Sequence, residues 1–266
     1  MNADIPAALA EIERKNGVRI LYAAESGSRA WGFASPDSDF DVRFLYAPPP
    51  AWYFSVFPPR DVIEENLPGD LDVVGWELRK SLQLFAKGNA PLCEWLDSPI
   101  VYSEAAGFAD ELRRLIPAIF QPAPAIFHYL GLAKKTIEGH LQTSEVKIKK
   151  LFYLLRPLLA ARWIAERRTM PPTRFGDLVA APFVWMEERA WIEALLARKA
   201  QVAEAEPLFF DPVRREAFAR EIEQLAALGP TLVEPRERPT GELDAVLLRW
   251  AGGGPRPHQP PPAVLP

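Results

Sequence analysis

The stretch from Ser26 to Arg43 reads Ser-Gly-Ser-Arg-Ala-Trp-Gly-Phe-Ala-Ser-Pro-Asp-Ser-Asp-Phe-Asp-Val-Arg and holds the residues best suited to chemistry. A glycine lets the backbone approach a polyphosphate closely, and a following helical turn aims N–H groups and a serine hydroxyl at the same anion. Gly27 and Ser28 fit that part. Asp39 and Asp41 are one residue apart, so on an extended strand both carboxylates leave the same face and can share a pair of divalent cations. Two such ions, about 3.5–4 Å apart, neutralise a triphosphate and activate a hydroxyl for in-line attack. Carboxylate and phosphate oxygens suit Mg²⁺, or Mn²⁺. A third acid is expected from a neighbouring strand. Asp72 is the choice, because Val73 and Val74 follow it into an apolar run, whereas Asp70 borders a Pro-Gly turn. Asp72 then also becomes the candidate base for the attacking hydroxyl.

Several basic and aromatic side chains could meet the phosphates. Arg29 follows the Gly-Ser pair, Lys80 lies one turn into the helix after Asp72, and Lys150 and Tyr153 lie near Lys149 and Arg156 at helical spacing. Each has an ordinary alternative: Arg29 as the partner of an acid, Lys80 as a surface lysine, and the 149–156 group as a solvated basic face. Trp31 and Phe33 read as packing that fixes the loop, and Asp37, after Pro36, as a turn former. A calcium loop is excluded, since Val42 stands where the turn glycine belongs and Pro48 where the bidentate Glu belongs. His128, His140 and His258 lack the spacing of metal ligands or of a catalytic triad, so a Ser-His-Asp hydrolase is rejected.

The elements around this loop must present it. Ile5, Leu9 and Ile12 recur at helical spacing, and Asn16-Gly17 supplies a stop. Short apolar runs over 18–24, 42–46, 61–66 and 71–76 read as strands, with 67–70 as a turn. Helices are expected over 77–86, from Pro91 through Leu96 and over 105–115, with an edge strand at 100–102. Past Pro117 the pattern becomes helical throughout, over 123–141, 144–168, 183–199, 212–228 and 242–250, with no strand between. Pro157 should kink its helix or begin a new one. The division implied is a catalytic domain over 1–116, an α-helical domain over 117–250 and a disordered Pro/Gly-rich tail over 251–266.

Composition sets outer limits. The chain has 266 residues, 48% of them hydrophobic and 25% charged, as in ordinary soluble proteins. No run reaches the roughly 18 apolar residues of a membrane helix, and the N-terminus lacks a secretory layout, so a cytoplasmic location with no membrane partner is expected. Cys93 stands alone and reads as a buried apolar residue. A net charge of −4 gives no global pull on nucleic acid, but nine Lys or Arg against three Glu between 128 and 168 form a local basic stretch.

The Gly-Ser loop, the Asp-x-Asp and the later strand aspartate resemble the polymerase-beta nucleotidyltransferase superfamily. Four segments narrow the likeness: Gly27 to Phe33, Gly75 to Lys80, Gly88 to Pro91 with Glu94-Trp95-Leu96, and Arg156 to Leu159. They resemble the RlaP-type bacterial and phage nucleotidyltransferases predicted to act in RNA repair, over roughly residues 20–170. The resemblance implies an α/β (α+β) fold, a small mixed sheet flanked by helices and followed by a helical domain that closes over the nucleotide. It also implies transfer of NMP from an NTP, with ATP the first expectation, to an acceptor hydroxyl such as an RNA end. Nucleotidylation of a protein or small molecule, or a nucleotide-sensing module without catalysis, are the alternatives. Ala90 departs from the more polar residue expected before Pro91.

Overall fold

The computed structural model describes residues 4–68, 70–235 and 237–252. The Asp4 carboxylate accepts from the Ala7 N–H at 3.2 Å and opens helix α1 (Ile5–Asn16), which Gly17 ends in the left-handed conformation. There follow β1 (Arg19–Glu25), the single-turn α2 (Gly27–Trp31), β2 (Phe40–Ala47), a 3₁₀ turn at Pro50–Phe54, β3 (Val62–Leu67) and β4 (Leu71–Glu77). Then come α3 (Leu78–Phe85), α4 (Ala90–Leu96), β5 (Val101–Glu104) and α5 (Phe108–Ile119). Asn89 caps α4 by accepting from the Leu92 N–H at 3.0 Å, so Ala90 carries no capping duty. Gly69, within the expected turn, lies outside the described residues.

The five strands form one mixed sheet in the order β3-β4-β2-β1-β5. β2 and β4 run parallel, and the other neighbours are antiparallel. Strand periodicity divides the side chains between two faces. Val42, Phe44, Tyr46 and Val73 pack with Ile5, Leu9 and Ile12 of α1. Leu21 and Leu45 pack instead with Leu82, Leu92 and Leu112 from α3, α4 and α5. Asp41 and Arg43 share the parity of Leu45 and continue that second face toward the start of β2.

The rest of the chain is mostly helical: α6 (Pro122–His140), α7 (Ile148–Arg167), α8 (Phe175–Val179), α9 (Met186–Lys199), α10 (Pro212–Leu228) and α11 (Thr240–Ala251). Tyr129, Leu151, Phe152, Leu155 and Ile164 fill the core between α6, α7 and their neighbours. The expectation of no strand here is corrected, because β6 (Glu145–Lys147) pairs antiparallel with β7 (Pro207–Phe209). Three-residue strands are too short to show a period in the sequence. Pro157 does not start a new helix; α7 runs through it. In α11, Leu243, Val246 and Trp250 pack on the layer of α3 and α5, with the Trp250 and Phe108 rings 5.2 Å apart. Of the expected tail, Ala251 ends α11, and 253–266 lie outside the described residues.

One cross-strand contact is tight. A Cβ added to Gly75 would come 2.1 Å from Phe44 Cζ, and Phe44 is fully buried. Gly75→Ala is therefore expected to destabilise the fold by about 1–3 kcal/mol through overpacking. A lower urea midpoint at unchanged slope would show it.

Candidate active site

β1 and β2 meet at their open end through the backbone. The Ser26 N–H donates to the Asp41 carbonyl at 2.8 Å, and the Asp41 N–H donates to Glu25 Oε1 at 2.8 Å. Tyr102 of β5 donates its hydroxyl to Glu25 Oε2, and Ser98 donates to the Glu25 carbonyl at 2.7 Å. Gly27 then turns at φ +61° into α2. A Cβ there would stand 2.3 Å from Asp41 Oδ2, so both the conformation and the space require glycine.

The parallel register places Asp41 directly beside Asp72. Arg43, two residues along the same strand, reaches both: Nη2 lies 3.2 Å from Asp41 Oδ1 and 2.8 Å from Asp72 Oδ2. Burial raises the Asp41 carboxyl above its ordinary range; Arg43 opposes that shift, while Asp72 and Asp39 add to it. Asp39 sits just before β2, exposed, in a groove that it shares with Asp70 and Asp72. The expected acids are thus neighbours. Among the described residues, however, no three acidic, histidine or cysteine side chains converge closely enough to hold an ion. The donor chemistry of Asp41 and Asp72 fits a hard divalent cation, with Arg43 as the cation now between them.

Ser26, Gly27, Asp41 and Arg43 form one wall of a cleft of about 480 Å³. The opposite wall is Thr136 of α6 with Tyr153, Arg156 and Pro157 of α7, and Trp31, Glu94 and Trp95 complete it. Ser26 lines the cleft, whereas the expected Ser28 is buried and does not. Tyr153 is brought to the site, with its ring edge-on to Trp31 at 6.1 Å. Lys150 stands 5.5 Å from the Tyr153 ring centre, and Lys149 pairs with Glu204.

Two expected phosphate contacts are placed elsewhere. Arg29 donates to the Ser38 and Asp39 carbonyls at 2.5 and 3.0 Å and lies over the Phe40 ring, so it braces the loop. Lys80 pairs with Asp61 at 3.0 Å, at the far end of β4. The five residue steps from Asp72 to Glu77 span about 16 Å of strand, beyond the reach of Lys80. Sequence reasoning missed Arg43 and Glu25, although each borders the Gly-Ser and Asp-x-Asp signals. It also missed Glu94, which pairs with Arg156 at 3.0 Å.

The loop is anchored in the second half of the chain. Phe33 enters the helical core 4.9 Å from Phe152 and 5.3 Å from Phe175. The fully buried Lys199 donates to Ser35 Oγ at 2.6 Å, and burial lowers its ammonium pKa. Asp37 accepts from the Glu204 N–H at 3.0 Å, and Ser38 donates to Glu204 Oε1 at 2.6 Å.

A family model described as RlaP, the RNA repair pathway DNA polymerase beta family, matches residues 1–249. The chain belongs to that family. It is also 46% identical over 255 residues to "Uncharacterized protein YcgL" of Bacillus subtilis (strain 168), covering 92% of this chain and 96% of that protein. RlaP membership accounts for the joined sheet and helical layers, since the model runs through both. It supports a nucleotidyltransferase as the coarse activity.

Glu25 makes the site sensitive to pH. It is 1% exposed, and burial raises its carboxyl above the unfolded value of 4.5 despite hydrogen bonds from Tyr102 and Asp41. The folded chain therefore holds this proton more tightly than the unfolded chain. The resulting stabilisation is complete below about 4.5 and is lost as pH rises through the folded value. Glu25→Gln should flatten that loss, which urea unfolding across a pH series would measure.

Proposed function

We propose that the chain transfers NMP from an NTP to an acceptor hydroxyl with release of pyrophosphate, and that the acceptor is an RNA end. The observation that carries this reading is the Asp41–Asp72 pair: Asp41 stands against Gly27 in a cleft whose other wall is Tyr153 and Arg156, and Asp72 lines the groove it shares with Asp39. Gly27, lacking a side chain, lets the Asp41 carboxylate stand directly against the turn, and Ser26 lies at the same wall. Lys150 and Tyr153 approach from α7 and would meet the triphosphate from the opposite side. Asp39, Asp41 and Asp72 would hold Mg²⁺ or Mn²⁺. Bound there, the ions would neutralise the phosphates and lower the pKa of the attacking hydroxyl. Asp72, with 39% of its side chain exposed, stands where it could take that proton.

The family description supports an RNA acceptor. The basic stretch supports it less than its charge suggests, because internal pairs consume Lys149, Arg156 and Arg162. The guanidinium shared by Asp41 and Asp72 favours a second reading, a nucleotide-sensing module that binds without transfer.

Incubation with α-labelled NTPs, Mg²⁺ or Mn²⁺ and RNA ending in a free hydroxyl separates these readings. Labelled RNA should form with the wild type, fall to background with Asp41→Ala and Asp72→Ala, and persist with Lys80→Ala. Transfer that survives both aspartate changes would sink the mechanism. Tight NTP binding with no acceptor labelled would favour sensing.

A further inference from the structure

Arg156 is 3% exposed, yet only one of its three guanidinium nitrogens has a hydrogen-bond partner. Nη1 donates to Glu94 Oε1 at 3.0 Å, whereas Nε and Nη2 are buried with no acceptor. Those two nitrogens share one edge of the planar group and form a fork that fits two adjacent acceptors. Buried donors are nearly always matched, so an empty fork lining a cleft points to an acceptor that arrives from outside the chain. Trp31 lies over the guanidinium at 4.3 Å. It covers one face of the guanidinium, and Nε and Nη2 are both closed off from solvent in the folded chain.

Glu94 holds the guanidinium in place. Its Oε1 accepts from both Arg156 and the Tyr129 hydroxyl, the latter at 2.5 Å, while Oε2 has no hydrogen bond among the described residues. Because it bonds Nη1, Glu94 sits away from the Nε–Nη2 edge and orients the fork, while the cleft that Arg156 lines also presents the apolar Trp95, Pro91 and Leu132. Ser26 and Asp41 line the same cleft.

We infer that the Arg156 fork, oriented by Glu94, reads the base of the bound nucleotide and selects guanine or cytosine. This rests on the nucleotidyltransferase reading above. Guanine sets N7 and O6 side by side and N1–H next to them; cytosine sets O2 and N3 side by side and its amino group next to them. Adenine has a ring nitrogen beside an amino group, and uracil separates its two carbonyls by an N–H. Neither has two adjacent acceptors for the fork. The same argument turns against ATP as the expected substrate.

Equilibrium binding of ATP, CTP, GTP and UTP to the full chain, with Ca²⁺ as the cation, tests this. GTP or CTP should bind roughly tenfold or more tightly than ATP and UTP, the separate GTP and CTP arms showing which base it is. Arg156→Lys keeps a positive charge against Glu94 but lacks the fork, so it should weaken the favoured nucleotide alone and bring the four affinities together. Equal affinities in the wild type would overturn the inference while leaving nucleotidyl transfer standing. A parallel loss for all four in Arg156→Lys would also overturn it, by assigning the fork to phosphate. Should that variant fail to fold, the wild-type ratios and Glu94→Gln decide, the latter being expected to erode the same preference. If folded wild type binds none of the four, the nucleotidyltransferase reading itself falls and the base selection with it.

Discussion

Gly27 and Asp41 compete for one small volume. A single methyl group on Gly27 would overlap Asp41 Oδ2, and much else at the open end of the sheet follows from keeping that space clear. The backbones are drawn together by the bond from Ser26 N–H to the Asp41 carbonyl. The side chain of Glu25 then takes up the Asp41 N–H, which has no strand partner in that direction. Burying a carboxylate for this purpose is unfavourable unless its oxygens are matched. Tyr102 completes the match from β5, so three adjacent strands contribute to the position of one carboxylate. Rigid support of this kind holds a site to within the small tolerance that phosphoryl chemistry needs.

The same approach creates an electrostatic problem that Arg43 answers. Parallel pairing of β2 and β4 puts two acids side by side, and partial burial of Asp41 strengthens the repulsion. The guanidinium bridging them holds both charged groups in place in the folded chain. A cation entering here would meet carboxylates already oriented, but would have to share them with Arg43 or displace it. The pairing therefore joins two functions. It stabilises the resting fold and would oppose any cation entering between the two acids.

How far the site could be read from the sequence followed distance along the chain. β1, β2 and β4 were visible as apolar runs, and α1 as an apolar stripe with a glycine stop. Asp41 and Asp72 could be paired by strand parity, because periodicity of two assigns faces without a fold. Lys80 shows where this fails: it is near Asp72 in sequence, but the strand carries it to the opposite end of the sheet. Arg29 shows a second limit, since carbonyl partners such as those of Ser38 and Asp39 leave no side-chain signature. Glu94 and Arg156 are 62 residues apart and meet only once α4 packs against α7, so their pairing was invisible beforehand.

The region from 171 to 250 carries no motif, yet much of what fixes the loop lies there. Between Gly32 and Asp39 the chain has no strand or helix of its own and would be free to move. Lys199 and Glu204 substitute for that missing structure. Lys199 is taken out of water to reach Ser35, a cost that makes sense only if the loop must be held. Glu204 gathers Ser38, Lys149 and Asp37 through its carboxylate and backbone N–H, joining the loop before β2 to the helix that carries Tyr153 and Arg156. The two walls of the cleft are thus tied to one short segment. The helical half therefore helps to fix where the Asp39–Asp41 strand entry sits, through contacts to the loop rather than to the acids themselves.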